Sequence, residues 1–124
     1  MKNLEHQIQA SFFSYLELQY PKLRKKIFAI PNGGARNVIT GAMLKKEGAT
    51  AGVFDVFVGI TNPSRGLPGL FIEFKAGKNK LSEKQKDFMG EMISEGYECE
   101  TCYSLEEAIK CLNDYLKPKE KVKI

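Results

Sequence analysis

Two short apolar segments, each interrupted by charge, constrain the fold of this 124-residue chain more than any other feature. They read "GVFDVFVGI" (residues 52–60) and "LFIEFK" (residues 70–75), and both are rich in the β-branched and aromatic residues that favour strands. The segment between them, "TNPSRGLPG", is rich in turn formers. We therefore predict two neighbouring antiparallel strands.

The charged residues in these two strands are Asp55, Glu73 and Lys75. Side chains two positions apart in a strand point to the same face, so Glu73 and Lys75 share one face of the second strand. The alternate positions are apolar and are predicted to hold that strand on the core: Leu70, Ile72 and Phe74. Because an unpaired carboxylate is costly to bury, the three charged side chains require partners.

Two interpretations of this charged set are open. The first is an ion pair at a sheet edge, which contributes little when it is exposed. The second is a metal site, because the carboxylates of Asp55 and Glu73 would be hard ligands that suit Mg²⁺ or Mn²⁺, with the backbone carbonyl of Phe74 as a further candidate. Lys75 could orient or help to deprotonate an attacking water, or offset phosphate charge. Such a set is suited to hydrolysing a phosphodiester.

Helices and strands alternate along the rest of the chain. Helical spacing of apolar residues and helix stop signals predict helices over residues 4–19, 38–47, 82–96 and 104–116. Short apolar runs predict further strands over residues 26–30 and 97–103. The last two helices each open with a capping box, formed by Ser82 with Gln85 and by Ser104 with Glu107. This order predicts an α/β fold in which a mixed β-sheet is flanked by helices.

Length and composition set broader bounds. The length suits one domain, which we place at residues 1–117, followed by a basic tail at residues 118–124. The net charge of +4 is a mild basic excess that permits nucleic-acid binding. No apolar run is long enough to span a membrane, and the N-terminus lacks a signal-peptide core, so we expect a cytoplasmic protein. Cys99 and Cys102 would point to opposite faces of a strand, which disfavours a shared metal or redox role.

The pattern of Asp, a variable gap and Glu-x-Lys resembles the active-site motif of the PD-(D/E)XK nuclease superfamily. Further stretches resemble one branch of it, the VRR-NUC domain family: "LEHQIQASFFSYL", "PNGGARN", "LKKEGATAGVFDVFV", "GLFIEFKAGKNKLSEKQKDFM" and "GYECETCYSLEEAIKCLNDYL". The resemblance implies a restriction-endonuclease-like fold and a DNA endonuclease that depends on Mg²⁺ or Mn²⁺, without a small-molecule cofactor. Stand-alone members of similar length look like phage-encoded homodimers that act on branched DNA, such as four-way junctions or flaps. That in turn implies the cytoplasm of a bacterial or phage-infected cell.

The resemblance also implies a role for each matching residue. Asp55 and Glu73 match the family's metal ligands, and Lys75 matches its catalytic lysine. Glu5 matches an acidic residue that points into the site from the first helix, and Gln85 matches a polar residue on the helix after the motif. The residue before Asp55 is not the proline that the superfamily often has there.

Alternatives to these roles remain open at the level of sequence. Glu5 is also the acidic residue that any first helical turn favours, and Gln85 is also the partner that closes a capping box. Three basic residues are candidate contacts for DNA phosphates, or else solvated charges: Arg36, Lys78 and Lys80. A non-catalytic DNA-binding or assembly module with the same fold is the alternative function, and the complete acid–acid–lysine set argues against it.

Overall fold

The computed structural model describes residues 3–31 and 38–118 of the chain. Four α-helices lie within these residues: α1 (Asn3–Gln19), α2 (Val38–Lys46), α3 (Glu83–Ser94) and α4 (Leu105–Leu116). The strands are β1 (Ile27–Ala29), β2 (Val56–Val58), β3 (Leu70–Phe74) and β4 (Glu98–Cys102). In this described part of the chain, no helix is long and apolar enough to cross a membrane.

The described strands form a sheet in the order β1-β2-β3-β4. β2 pairs antiparallel with both β1 and β3, whereas β3 pairs parallel with β4. The parallel connection passes through α3, as a crossover between parallel strands requires. The predicted mixed sheet and the predicted antiparallel pairing of the two charged segments are therefore confirmed.

One face of the sheet carries the apolar core, against α1 and α4. The alternate residues of β3 are fully buried there, as predicted: Leu70, Ile72 and Phe74. Phe12 and Leu16 of α1 join the same cluster, and the ring of Phe12 lies 5.7 Å from the ring of Phe74. Burial of such apolar side chains is the main favourable contribution to folding, so this face fixes the position of β3.

The other face of the sheet packs on α3 through aromatic rings. Phe71 of β3 lies edge-on to Phe88 of α3, with ring centroids 5.1 Å apart, and it also contacts Phe57 of β2 and Tyr97. Because Glu73 is two residues from Phe71, its side chain is directed to this same side of the strand. The aromatic layer therefore places the charged face of β3 beside the start of α3.

The observed strands are shorter than predicted. β2 covers only Val56–Val58, and Asp55 lies immediately before it rather than inside it. The turn before Asp55 contains Gly52 at φ +93°, a left-handed conformation that ends the extended run. β1 likewise begins after the 3₁₀ turn Arg24–Lys26, and β4 excludes Tyr97 and Tyr103.

The two predicted capping boxes have different outcomes. At α3, Ser82 accepts a hydrogen bond from the Gln85 backbone N–H, and the Gln85 side chain accepts one from the Ser82 N–H, so this box is confirmed. At α4, Ser104 caps the Glu107 N–H, but the Glu107 carboxylate accepts the N–H of Tyr103 instead. The second prediction was therefore half wrong, because the extended Ser104 backbone places the preceding N–H within reach.

Candidate active site

Asp55 and Glu73 meet at one end of the sheet, where β2 begins and β3 ends. The register pairs Val56 with Ile72, which sets Asp55 opposite Glu73. The Asp55 N–H donates to Oε1 of Glu73 at 3.1 Å, and the Phe74 N–H donates to Oδ2 of Asp55 at 2.8 Å. Each carboxylate is thus held by the backbone of the other strand. This reciprocal arrangement brings together the two acidic residues that the sequence singled out.

Glu73 is the centre of the site. It is only 3% exposed, and its Oε2 accepts a hydrogen bond from Nε2 of Gln85 at 2.8 Å. The Nζ of Lys75 lies 3.5 Å from the same oxygen, with 12% of the Lys75 side chain exposed. The structure therefore brings Asp55, Glu73, Lys75 and Gln85 together at one place.

Gln85 makes two contacts at once, one in the capping box and one with Glu73. Its Oε1 accepts the Ser82 N–H and closes the capping box, while its Nε2 donates to Glu73. The cap therefore fixes the amide so that its donor end must face the carboxylate. The start of α3 holds Glu73 through this one side chain.

The segment before Asp55 is fixed against α3 as well. Phe54 is fully buried and its ring lies 5.5 Å from that of Phe88. A Cβ atom on Gly52 would lie 2.5 Å from the backbone carbonyl oxygen of Lys84, so only glycine permits this approach. These contacts fix the position of Asp55 relative to the start of α3.

Burial and mutual repulsion dominate the electrostatics of the two carboxyls. Burial, followed by the negative charge of Asp55, raises the pKa of Glu73 to about 8, although the Lys75 ammonium opposes the shift. Burial also raises the pKa of Asp55, against the opposing effect of the Phe74 N–H. The Lys75 ammonium offsets only part of the cost of holding two neighbouring carboxylates fully charged. A cationic ligand between them would remove this penalty.

The oxygen atoms at the site fit a hard divalent cation. The Lys75 N–H donates to the Cys102 carbonyl at 3.0 Å, on the β4 side. Backbone groups alternate sides along a strand, so the N–H and carbonyl of Phe74 are directed toward Asp55. Carboxylates with a backbone carbonyl and water are ligands that suit Mg²⁺ and Mn²⁺. Within residues 3–31 and 38–118, no group of three or more His, Cys, Asp or Glu side chains could hold a metal ion, and the candidate set here uses two carboxylates.

Glu5 reaches the edge of the site from α1. Its Oε2 accepts hydrogen bonds from the Ala76 N–H at 3.3 Å and from Nδ2 of Asn79 at 2.8 Å. Its negative charge also contributes to the raised pKa of Asp55. The structure thus places Glu5 close to the two carboxylates, but engaged with the loop that follows β3.

Asn79 is a residue that our sequence reasoning missed. It anchors this loop to α1 through Glu5 and accepts the Tyr103 hydroxyl on its backbone carbonyl at 2.8 Å. The only available signal was an Asn within a short polar turn, which does not reveal a distant partner. Lys78 and Lys80 flank Asn79 and are exposed, whereas Arg36 lies outside the described residues.

The described part of the chain is thus an α/β domain whose mixed β-sheet gathers two carboxylates and a lysine at one end. The model of the VRR-NUC domain family matches residues 3–106, and the chain belongs to this family. It is therefore a nuclease-type DNA-binding domain. The fold is also similar to that of a solved VRR_NUC domain protein, with a TM-score of 0.77 and 23% sequence identity over 91% of this chain and 88% of that chain. A search among curated proteins finds no match.

Proposed function

We propose that this protein is a DNA endonuclease that depends on Mg²⁺ or Mn²⁺ and hydrolyses phosphodiester bonds. The observation that carries the proposal is the convergence of Asp55, Glu73 and Lys75 at one end of the sheet, with Lys75 Nζ 3.5 Å from Glu73 Oε2. Buried carboxylates with raised pKa values beside a lysine are typical of sites that bind a cation and move protons.

The residues at the site divide into ligands and supporting groups. Asp55, Glu73 and the Phe74 carbonyl would hold the divalent ion, which when bound supplies a Lewis acid for the phosphate and its leaving oxygen. Lys75 would orient the attacking water or offset phosphate charge. Gln85 would keep the Glu73 carboxylate in position, because its own amide is fixed by the cap of α3.

We propose branched DNA as the substrate and a homodimer as the active form. Sequence-specific reading of bases requires side chains that enter a groove, and the basic groups beside the site, Lys78 and Lys80, are suited to phosphates instead. One chain offers one such site. Symmetric cutting of two strands therefore requires two chains related by a two-fold axis.

A panel of end-labelled DNAs tests the reaction and the substrate together. Linear, flapped, forked and four-way DNAs of matched sequence are incubated with Mg²⁺, Mn²⁺ or EDTA, and the products are mapped on denaturing gels. We expect metal-dependent cuts near the branch and little cutting of linear duplex. Binding of these DNAs without cleavage in either metal would overturn the proposal in favour of a non-catalytic module.

A further inference from the structure

Tyr103 differs from the other tyrosines of the chain. The others lie against rings or inside the core: Tyr15, Tyr20, Tyr97 and Tyr115. Tyr103 is 37% exposed, and within the described ranges its ring stacks on no other aromatic ring. An exposed, unstacked aromatic ring is available to a ligand.

Tyr103 lies beside the candidate active site. The Lys75 N–H donates to the carbonyl of Cys102, the residue before Tyr103. Because β3 and β4 are parallel, both strands end at the same edge, and Tyr103 follows β4 where Lys75 follows β3. A DNA strand with its phosphate at Lys75 would therefore run past this ring.

Tyr103 is held through both its side chain and its backbone. Its hydroxyl donates to the Asn79 carbonyl at 2.8 Å, and its backbone N–H donates to the Glu107 carboxylate at 2.8 Å. A ring fixed in this way loses little conformational freedom on binding. The exposed Lys78 and Lys80 are the sequence neighbours of Asn79, so the loop that binds the Tyr103 hydroxyl carries positive charge.

We propose that the Tyr103 ring stacks on an unpaired base next to the phosphate that is cut, while Lys78 and Lys80 contact neighbouring phosphates. Fixed aromatic rings beside positive charge are the usual means of binding single-stranded segments, since every base has a face that can stack. The inference rests on the proposed function and gives it a source of selectivity. Duplex DNA keeps its bases stacked inside the helix, so only a branch, flap or frayed end presents a base to this ring.

The test measures binding without cleavage, with Ca²⁺ in place of Mg²⁺. Forked DNA carries 2-aminopurine at the first unpaired position, and its quenching is followed together with anisotropy for the fork and for linear duplex. Wild type and Tyr103→Phe, which keeps the ring and loses only the hydroxyl, are expected to quench the probe. Tyr103→Leu is expected to lose the quenching and about tenfold in affinity for the fork, with duplex binding unchanged.

Two further variants keep the test decisive. Phe28→Leu removes a ring that is 46% exposed on the opposite edge strand β1, and it is expected to leave quenching unchanged. Tyr103→Trp enlarges the ring and is expected to retain quenching even if Tyr103→Leu folds poorly. Unchanged quenching in Tyr103→Leu, or no quenching in wild type, would overturn the stacking role. Quenching by a wild type that cuts no DNA in Mg²⁺ or Mn²⁺ would support stacking while overturning the nuclease proposal.

Discussion

A polar side chain is buried at each end of the β2–β3 hairpin, but the hydrogen bonds and charges around the two side chains differ. Asn62, in the loop joining the strands, is 6% exposed, and Glu73, at the other end of β3, is 3% exposed. The Asn62 amide donates to the carbonyls of Tyr115 and Lys117, each at 2.7 Å. Tyr115 lies in the last turn of α4 and Lys117 is the C-cap that follows it, where carbonyls lack partners within the helix. Asn62 is therefore a neutral cap that stabilises the fold.

Glu73 is buried to a similar degree, but its negative charge is only partly compensated. Its carboxylate lies near another acid, Asp55, and 3.5 Å from the Nζ of Lys75, and its pKa is raised to about 8 by burial and by the Asp55 charge. The Lys75 ammonium compensates only in part. A neutral, fully bonded amide and a strained pair of carboxylates thus lie on one hairpin. The difference supports the proposal that the Glu73 end is arranged for a ligand, whereas the Asn62 end stabilises the fold.

The sharpest test of this comparison is Asp55→Asn. The amide oxygen of Asn can still accept the Phe74 N–H, while its NH₂ group can donate to Glu73, so the fold should be kept. Loss of one carboxylate ligand is expected to lower metal-dependent cleavage by at least about a thousandfold, or roughly 4 kcal/mol.

The matched measurement is the free energy of unfolding of Asp55→Asn in EDTA. Removing the repulsion between two acids should leave it equal to or above that of wild type. A variant with full Mg²⁺-dependent cleavage would show that Asp55 is no ligand. A clearly less stable variant would show that the pair contributes to the fold after all.

The opposite result is expected at the other end, for Asn62→Ala. It removes the donor to two carbonyls at the C-terminal end of α4, and it should cost about 2 kcal/mol of stability in denaturant titrations. Cleavage per folded molecule should not change. Arg65→Ala is the control, because its ion pair with Glu98 is partly exposed and should contribute at most about 1 kcal/mol. Loss of cleavage at full stability in Asn62→Ala would contradict the division between the two ends.

Sequence reasoning reached the charged end of the hairpin but not the neutral end. Glu73 lies on β3 and Asp55 immediately precedes the antiparallel strand β2, so the predicted pairing of the two segments was enough to bring them together. The Ser82–Gln85 cap was found because it is local. Asn62 was missed because its partners lie 53 and 55 residues away, and no local pattern announces such a contact. Asn79 and Glu5, which are 74 residues apart, were not paired for the same reason.

The comparison also predicts a dependence of stability on pH. The pKa of Glu73 is raised from 4.5 to about 8 in the folded chain. A carboxyl group with a raised pKa in the folded chain binds its proton more tightly there than in the unfolded chain. Its contribution to folding stability is therefore fully present below the unfolded pKa and is lost as pH rises through the folded pKa. In EDTA, the melting temperature of wild type should therefore fall by a few degrees between about pH 5 and pH 8.

Asp55→Asn is the matched control for this titration. It removes the neighbouring charge but leaves the burial of Glu73, so its melting temperature should fall less over the same range. Because Asn62 carries no charge, Asn62→Ala should keep the wild-type slope at a lower melting temperature. A wild-type melting temperature that rises toward pH 8 in EDTA would contradict the sign of the shift.

The smallest expected effect separates the two contacts of Gln85. Ser82→Ala and Gln85→Ala each remove half of the same capping box, and each should cost about 1 kcal/mol of stability. Only Gln85→Ala also removes the donor to Glu73 Oε2. We therefore expect about a tenfold lower cleavage rate in Gln85→Ala, and a rate close to wild type in Ser82→Ala, both measured at saturating Mg²⁺. Equal cleavage rates in the two variants would mean that Gln85 only caps α3, and that Glu73 keeps its orientation through the Asp55 N–H and Lys75.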